Sequence, residues 1–540
     1  MARDKSEEAA MSLRPFPFFL LRRGPAFVWF PAILIAALMA VPLIYLIVRA
    51  GQADSDAWQD LTRGSTLRLL KNTVLLAVAV TGGSVALALP MAWLTTRTDL
   101  PWRRFWNIVT ALPLVVPSYV GGLAFIAALG PRGSLQSALH PFGVDTLPNI
   151  YGFEGAWLAL TLYTYPYLLL VLRAGMRGID PAMEEASRAL GVGPWQTFAR
   201  VVVPQLRVPL AAGMLLVALY VLSDFGAVSM LRFDTFTRAI FVQFQSSFDR
   251  AAGAVLSLML VGLVVVILGL EAGTRSRNRY HSLSTTTRKP RAVRLGRWRW
   301  PAIGFLSLIG IVSLGTPIAV LLDWLIRGLN AGEPFRDTWG AAWNSVSVSA
   351  AAGLVAIAAS VPIAIIAVRR NSPLSFLVER MSYFGFALPG IVVALSLVFF
   401  SLRVIPGLYQ SWFVLVFAYV VLFLPAAVGA VRASLVRVPP HMEEAARGLG
   451  RSPAWVTATI TLPLVAPGLF SGFALVFLTT MKELPATLLL APIEYDTLAS
   501  DVWRSANEAF FAQAAAPALM LILFAAVPMA LIVGRENLRD

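Results

Sequence analysis

The chain has 540 residues, 58% of them hydrophobic and only 14% charged, with a mean hydropathy of +0.72. One soluble core cannot absorb that much apolar surface, so a water-soluble globule is excluded and an all-α polytopic membrane protein is expected. The net charge of +15 falls in short clusters between apolar runs, which is the positive-inside pattern and not a nucleic-acid surface. No cysteine is present, which removes disulfides, thiolate metal sites and cysteine nucleophiles. The three histidines, His140, His281 and His441, do not cluster, so the chain is expected to hold no metal and no cofactor of its own.

A membrane span needs about 20 apolar residues to cross about 30 Å of hydrocarbon. In chain order, apolar runs near 27–48, 72–95, 107–129, 155–175, 209–230 and 252–270 form a first set of six. A second set lies near 301–326, 344–368, 382–402, 411–431, 467–490 and 511–533, giving about 12 transmembrane helices. The expected organisation is a tail at 1–26, a first half at 27–270, a basic linker at 271–300, a second half at 301–533 and a tail at 534–540. The first run follows a basic stretch, as a signal peptide would, but it is longer than an h-region and has an equivalent at 301–326; it is expected to stay.

Orientation follows the arginines. Arg14, Arg22 and Arg23 precede the first run; Arg97, Arg103 and Arg104 follow the second. Arg173, Arg177, Arg188, Arg200 and Arg207 follow the fourth, and the linker carries nine basic residues from Arg275 to Arg299. Every second loop is therefore basic, which puts both termini and the linker in the cytoplasm of a bacterial inner membrane. The intervening loops hold Asp54, Asp56, Asp60, Asp145, Asp234, Asp496 and Asp501 and are expected to face the periplasm.

The two sets are a tandem repeat. Asn72, Pro90 and Pro101 match Asn344, Pro362 and Pro373 at an offset of 272, and Pro113 matches Pro389 at 276. From Arg173, which matches Arg432, the offset is 259, so 17 extra residues are expected in a Gly/Pro-rich loop at about 130–155. Six spans per half, an even number, make the copies parallel, with a pathway expected at their interface.

The strongest local signal is a polar stretch between the fourth and fifth runs of each half. It reads DPAMEEASRALGVGPWQTFARVVVPQL from Asp180 and PPHMEEAARGLGRSPAWVTATITLPLV from Pro439. Glu184, Glu185, Ala186, Gly191 and Pro204 repeat as Glu443, Glu444, Ala445, Gly450 and Pro463. Asp180 suits an N-cap, with Pro181 at the first helical position and the glutamates near the positive end of the dipole. Gly191 and Gly450 suit a left-handed stop, and Pro194 or Pro453 starts a second short helix with Trp195 or Trp455 in its first turn. The product is a stiff amphipathic elbow, suited either to docking another protein or to lying on lipid; lipid anchoring would not require the same spacing twice.

Both elbows resemble the EAA loop of ATP-binding cassette importer permeases, type I, with Ser187 the one mild departure. That resemblance implies a coupling helix inserted into an ATP-binding subunit, with Glu185 and Gly191, and Glu444 and Gly450, foremost in docking. It also implies two copies of that subunit, carrying ATP and Mg, and a periplasmic binding protein that delivers substrate. The chain has no GxxxxGK[ST] phosphate loop, so it is expected to be no enzyme by itself.

The fifth run contains LSDFGAVSML, with Asp224, and its counterpart MKELPATLLL, with Lys482 and Glu483; Asp224 and Glu483 are again 259 apart. Charges at that depth face a cavity or a partner, so they either line a substrate pathway or brace a broken helix beside Gly226 and Pro485. Lys482 points about 100° from Glu483 on a helix, so the two need not pair. With DTFTRAIF and YDTLASDVW, these stretches resemble the ferric-iron subfamily of such permeases, which are commonly fused two-copy chains. Ferric iron, a hard cation, suits carboxylates, although a thiamine or polyamine cation would suit them too, and sulfate and phosphonate importers share the architecture. The rival class is a 12-helix secondary transporter, whose basic loop TDLPWRRF superficially resembles. No nucleophile–base pair or metal-ligand cluster supports a membrane enzyme.

Overall fold

A computed structural model describes residues 26–275, apart from 54, 56, 57, 59–63, 132, 144 and 247–249, and residues 292–537, apart from 334–336 and 371. The basic residues before the first span, Asp54, Asp56, Asp60, His281 and half of the linker arginines lie outside this set. Among the described residues the chain is helical, with one isolated β-bridge. A bilayer offers no water to unpaired backbone groups, and helices satisfy theirs internally.

The first half comprises α1 (Ala26–Ala50), α2 (Gly64–Arg97), α3 (Ser118–Leu129), α4 (Phe153–Arg177), the elbow helix α5 (Pro181–Ala189), α6 (Arg207–Ser223), α7 (Gly226–Met230), α8 (Phe236–Ser246) and α9 (Arg250–Arg275). The second comprises α10 (Thr316–Ala331), α11 (Thr338–Arg369), α12 (Gly390–Val404), α13 (Trp412–Leu435), the elbow helix α14 (Pro440–Gly448), α15 (Leu462–Met481), α16 (Pro485–Leu490), α17 (Leu498–Asn507) and α18 (Phe511–Asn537). α10 continues a helix that begins at Arg299 through a π-turn at Ile311–Gly315, and α9 runs on to Arg275 where 270 was expected.

Nine helices among the described residues are long and apolar enough to span, and eleven if two bent pairs each count as one. The twelfth expected span, 382–402, is present as the 15-residue α12. About twelve crossings is therefore right in number, but the third and fifth of each half are not single rods. The third breaks at Pro117 and at Pro389, each extended and each capping the half-helix that follows. This equivalence corrects the repeat: Pro389 pairs with Pro117, not Pro113, so the offset stays 272 and the first-half insertion is 13 residues, not 17. The insertion forms an exposed short helix, Ser134–Leu139, closed by Gly143.

The halves share their internal packing: α2 against α4 and α6 in one, α11 against α13 and α15 in the other. Asn72 donates to the carbonyl of Asp234, and Asn344 to that of Asp496, pinning the loop after each broken fifth span. The halves also cross. α1, in which Ala32, Ala36, Met39 and Leu46 are buried, packs on α11 and α12 as well as on α9 of its own half, while α10 packs on α3. Past the linker, Val293 donates to the carbonyl of Arg97 at 2.8 Å and accepts from Asp99 N–H at 3.1 Å, so the chain returns to the first half before entering the second.

Candidate functional site: two elbows and the cavity between the halves

Each elbow is assembled from local rules. The Asp180 carboxylate accepts from Ala182 N–H at 2.9 Å, capping α5. α5 and α14 both end in a Schellman turn: Val192 N–H reaches Ser187 O and Gly191 N–H reaches Arg188 O, and Arg451 and Gly450 do the same to Ala446 and Arg447. Gly191 and Gly450 accordingly sit at φ +81° and +80°. The second short helices, Pro194–Thr197 and Pro453–Val456, open into matching π-turns at Phe198–Val202 and Thr457–Thr461, just ahead of the exposed Pro204 and Pro463. A proline lacks the N–H that an α-turn would use, so the widened turn falls where the ladder is already interrupted.

The paired glutamates divide. Glu185 and Glu444 are exposed, as are Ala186, Ala445, Gly191 and Gly450. Glu184 and Glu443 turn inward. Glu184 pairs with Arg97 at 3.2 Å and Arg188 at 3.7 Å; Glu443 pairs with Arg369 at 3.0 Å and Arg447 at 3.5 Å and accepts from Thr461 Oγ1 at 3.0 Å. Arg97 and Arg369 terminate α2 and α11 at equivalent positions, 272 apart. Glu184 and Glu443 therefore fasten each elbow to a membrane helix, and the outward surface belongs to their neighbours. Sequence reasoning passed over Leu190 and Leu449, each 84% exposed beside its glycine, and over the exposed Met183 and Met442. The signal was available: both pairs recur at the offset of 259.

Between the halves lies a cavity of about 240 Å³. Asp224, Lys482 and Glu483 all line it, with Tyr119, Tyr167 and Tyr220. The two readings of the carboxylates are both satisfied, since each faces the cavity and each caps a broken helix. Asp224 Oδ1 accepts from Ala227 N–H at 3.0 Å and Val228 N–H at 3.4 Å at the start of α7, and Oδ2 accepts from Ser118 Oγ on α3. Glu483 Oε1 accepts from Ala486 N–H at 3.3 Å at the start of α16, and it abuts α12 so closely that a β-carbon on Gly390 would stand 2.6 Å from it. Two half-helix N-termini thus direct N–H groups at the two carboxylates, and α3 and α12 begin beside them. Lys482 does not pair with Glu483; its Nζ crosses to the first half and donates to Leu114 O at 2.7 Å. Among the described residues no cluster of three His, Asp or Glu side chains could hold a metal.

The family model for binding-protein-dependent transport system inner membrane components matches residues 84–277 and again 356–534. The two matches begin 272 residues apart, the offset of Asn72 and Asn344. The chain belongs to this family. This binding-protein-dependent permease is 35% identical, over 95% of its length and 98% of the relative's, to the Fe(3+)-transport system permease protein FbpB 2 of Haemophilus influenzae. It is 25% identical, over 81% of its length and 66% of the relative's, to the ferric transport system permease protein FbpB of Actinobacillus pleuropneumoniae. The sulfate transport system permease protein CysT of Escherichia coli is 26% identical and matches 49% of the permease with 95% of its own length, so one whole relative corresponds to half of this chain. Family membership removes the secondary-transporter alternative and makes the chain a transporter subunit of an ATP-binding cassette importer.

Proposed function

We propose that this permease is the channel of an ATP-driven importer of ferric iron, receiving substrate from a periplasmic binding protein. The observation that carries the reading is the placement of a buried Asp224 and a half-buried Glu483 around one cavity between the halves, in a chain whose full-length relative is a named Fe(3+) permease. Hard oxygen donors suit ferric iron. Two ATP-binding subunits, carrying ATP and Mg, dock on α5 and α14 through Glu185, Glu444 and the leucine tips. Nucleotide-driven closure of those subunits moves both elbows, and because Glu184 and Glu443 tie them to α2 and α11, the halves rock to expose the cavity alternately to each side. Both termini lie in the cytoplasm of a bacterial inner membrane, and the apolar outer faces contact lipid.

Radio-iron accumulation in cells lacking the chain tests this. Wild type restores uptake, and a Gly191→Asp, Gly450→Asp double variant at equal membrane abundance does not. If wild type leaves iron uptake unchanged, the ferric reading falls. A second reading, import of an oxyanion, is favoured by the Lys482 ammonium and the four helix N-termini around the cavity. Radio-sulfate in the same cells separates the two, with thiamine and polyamine cations tested next.

A further inference from the structure

Each half carries a turn at the end away from its elbow. Asn72 and Arg97 stand 25 residues apart on α2, about 37 Å of helix; Arg97 holds the elbow through Glu184, and Asn72 holds the carbonyl of Asp234. Asn344 and Arg369 repeat this on α11 with Asp496 and Glu443. The residues just before Asp234 and Asp496 therefore emerge on the face opposite the elbows. Each follows a half-helix, α7 or α16, that starts at the cavity. On the reading above, that face is periplasmic.

Two residues before each aspartate the backbone is left-handed without a glycine: φ is +54° at Arg232 and +64° at Glu494. The halves reach this conformation by different routes. Arg232 closes α7 in a Schellman turn, its N–H on Ser229 O at 3.2 Å and that of Phe233 on Val228 O at 2.9 Å. Glu494 sits in a turn closed by Tyr495 N–H on Pro492 O at 3.1 Å. Asp224 and Asp234 are 10 residues apart but Glu483 and Asp496 are 13, so equal length does not account for the shared geometry. Glycine would relieve both positions. The chain instead keeps an exposed cation in one half and an exposed anion in the other. Neighbouring charges cancel locally, Asp234 with Arg238 and Asp496 with Arg504, whereas neither Arg232 nor Glu494 has an ion-pair partner among the described residues. The Arg232 guanidinium lies 5.2 Å over the Tyr151 ring, and Glu494 follows Ile493, which is 81% exposed. Strain kept at an exposed, unanswered charge points to a contact outside the chain.

We propose that Arg232 and Glu494 are the two poles of a docking surface for the periplasmic binding protein, and that their opposite charges fix which of its domains sits on which half. This builds on the reading of the chain as a binding-protein-dependent channel, whatever solute is carried. Periplasmic binding proteins close two domains around their ligand, which supplies two separate surfaces for two equivalent turns. An acidic patch on one domain meets Arg232 and a basic patch on the other meets Glu494; the reverse placement sets like charges face to face. The insertion at Ser134–Leu139, followed by Phe142 at 82% exposure, belongs to the first half alone, so a reversed partner also meets the wrong shape. Both poles are exposed, so they steer the encounter and select its orientation less strongly as salt rises.

The test uses the full permease with its ATP-binding subunits in nanodiscs and, as partner, the periplasmic protein whose addition accelerates ATP hydrolysis by that complex. At low salt, Arg232→Glu and Glu494→Arg each raise the partner concentration for half-acceleration roughly fivefold, the scale of one exposed ion pair turned to repulsion. The double variant raises it further, and added salt narrows every difference. Both substitutions exchange one unbranched side chain for another, so the backbone strain is unchanged. Because the chain has no cysteine, Phe142→Cys and Ile493→Cys can each carry a single photo-crosslinker, and the two link to different domains of the partner. Links from either site to both domains, or variants that respond as wild type does, overturn the surface and leave the importer reading standing. Recovery of the wild-type response in the double variant also overturns it, since an ion pair formed between the halves would behave that way. If no periplasmic protein accelerates hydrolysis by the wild-type complex, the importer reading itself fails and takes the surface with it.

Discussion

Glu443 and Glu444 are neighbours in sequence, yet about 100° of helix rotation sends one toward Arg369 and Thr461 and the other to the surface. Their substitutions should separate cleanly. Glu443→Gln keeps the shape but leaves two guanidinium groups without their anion, which should destabilise the elbow by about 2 kcal/mol. Its expected signature is a lowered thermal unfolding midpoint of the purified permease. Glu444→Gln should leave the midpoint unchanged and weaken capture of the ATP-binding subunit. Equal midpoints for the two variants would refute the division of roles. Spacing alone could not have made this distinction, because the two acids are chemically alike and the inward partner is 74 residues away. Lys482 is a similar case: its helical position shows that it need not face Glu483, but only the folded chain brings it to Leu114 O.

Among the elements, the elbows were the most legible in outline, since their cap, stop and proline positions are set by contacts within a few residues. Asp180 caps, Gly191 and Gly450 stop, and both prolines fall where the sequence puts them. Gly450 has open space around a hypothetical β-carbon, so only its backbone conformation resists substitution. Gly450→Ala should therefore cost about 1 kcal/mol, seen as roughly fivefold weaker capture of the ATP-binding subunit. Gly450→Asn should be nearly silent, because asparagine enters the left-handed region more readily. An alanine variant no weaker than the asparagine one would remove the conformational argument. The helix breaks were far less legible. Pro90, Pro166, Pro362 and Pro425 sit inside unbroken helices, whereas Pro117 and Pro389 mark interruptions. A proline removes the same N–H in every case; what differs is whether a side chain from the other end of the half, such as Asp224, or the close approach of Glu483 to Gly390 meets the new helix start. That is tertiary information, and it explains why Pro113 rather than Pro117 looked like the partner of Pro389.

At the scale of the whole molecule the tandem repeat was readable from the offsets, but the crossing of the first helices onto the other half was not. An apolar run does not say which half it will lean on. Because α1 packs on α11 and α12 and α10 packs on α3, the connection between the halves is not what holds them together. A protease site inserted within 276–291 should be cut without separating the products: in mild detergent both should elute as one particle on size exclusion. Two separate peaks would show that the crossed helices contribute little. The same crossing constrains biogenesis. α1 leaves the ribosome first and meets α9 once the first half is made, but its other partners, α11 and α12, are synthesised only after the linker. Until then the side of α1 that meets α11 and α12 must wait in lipid on its own apolarity, and the order in which helices enter the bilayer cannot be the order in which they find all their partners.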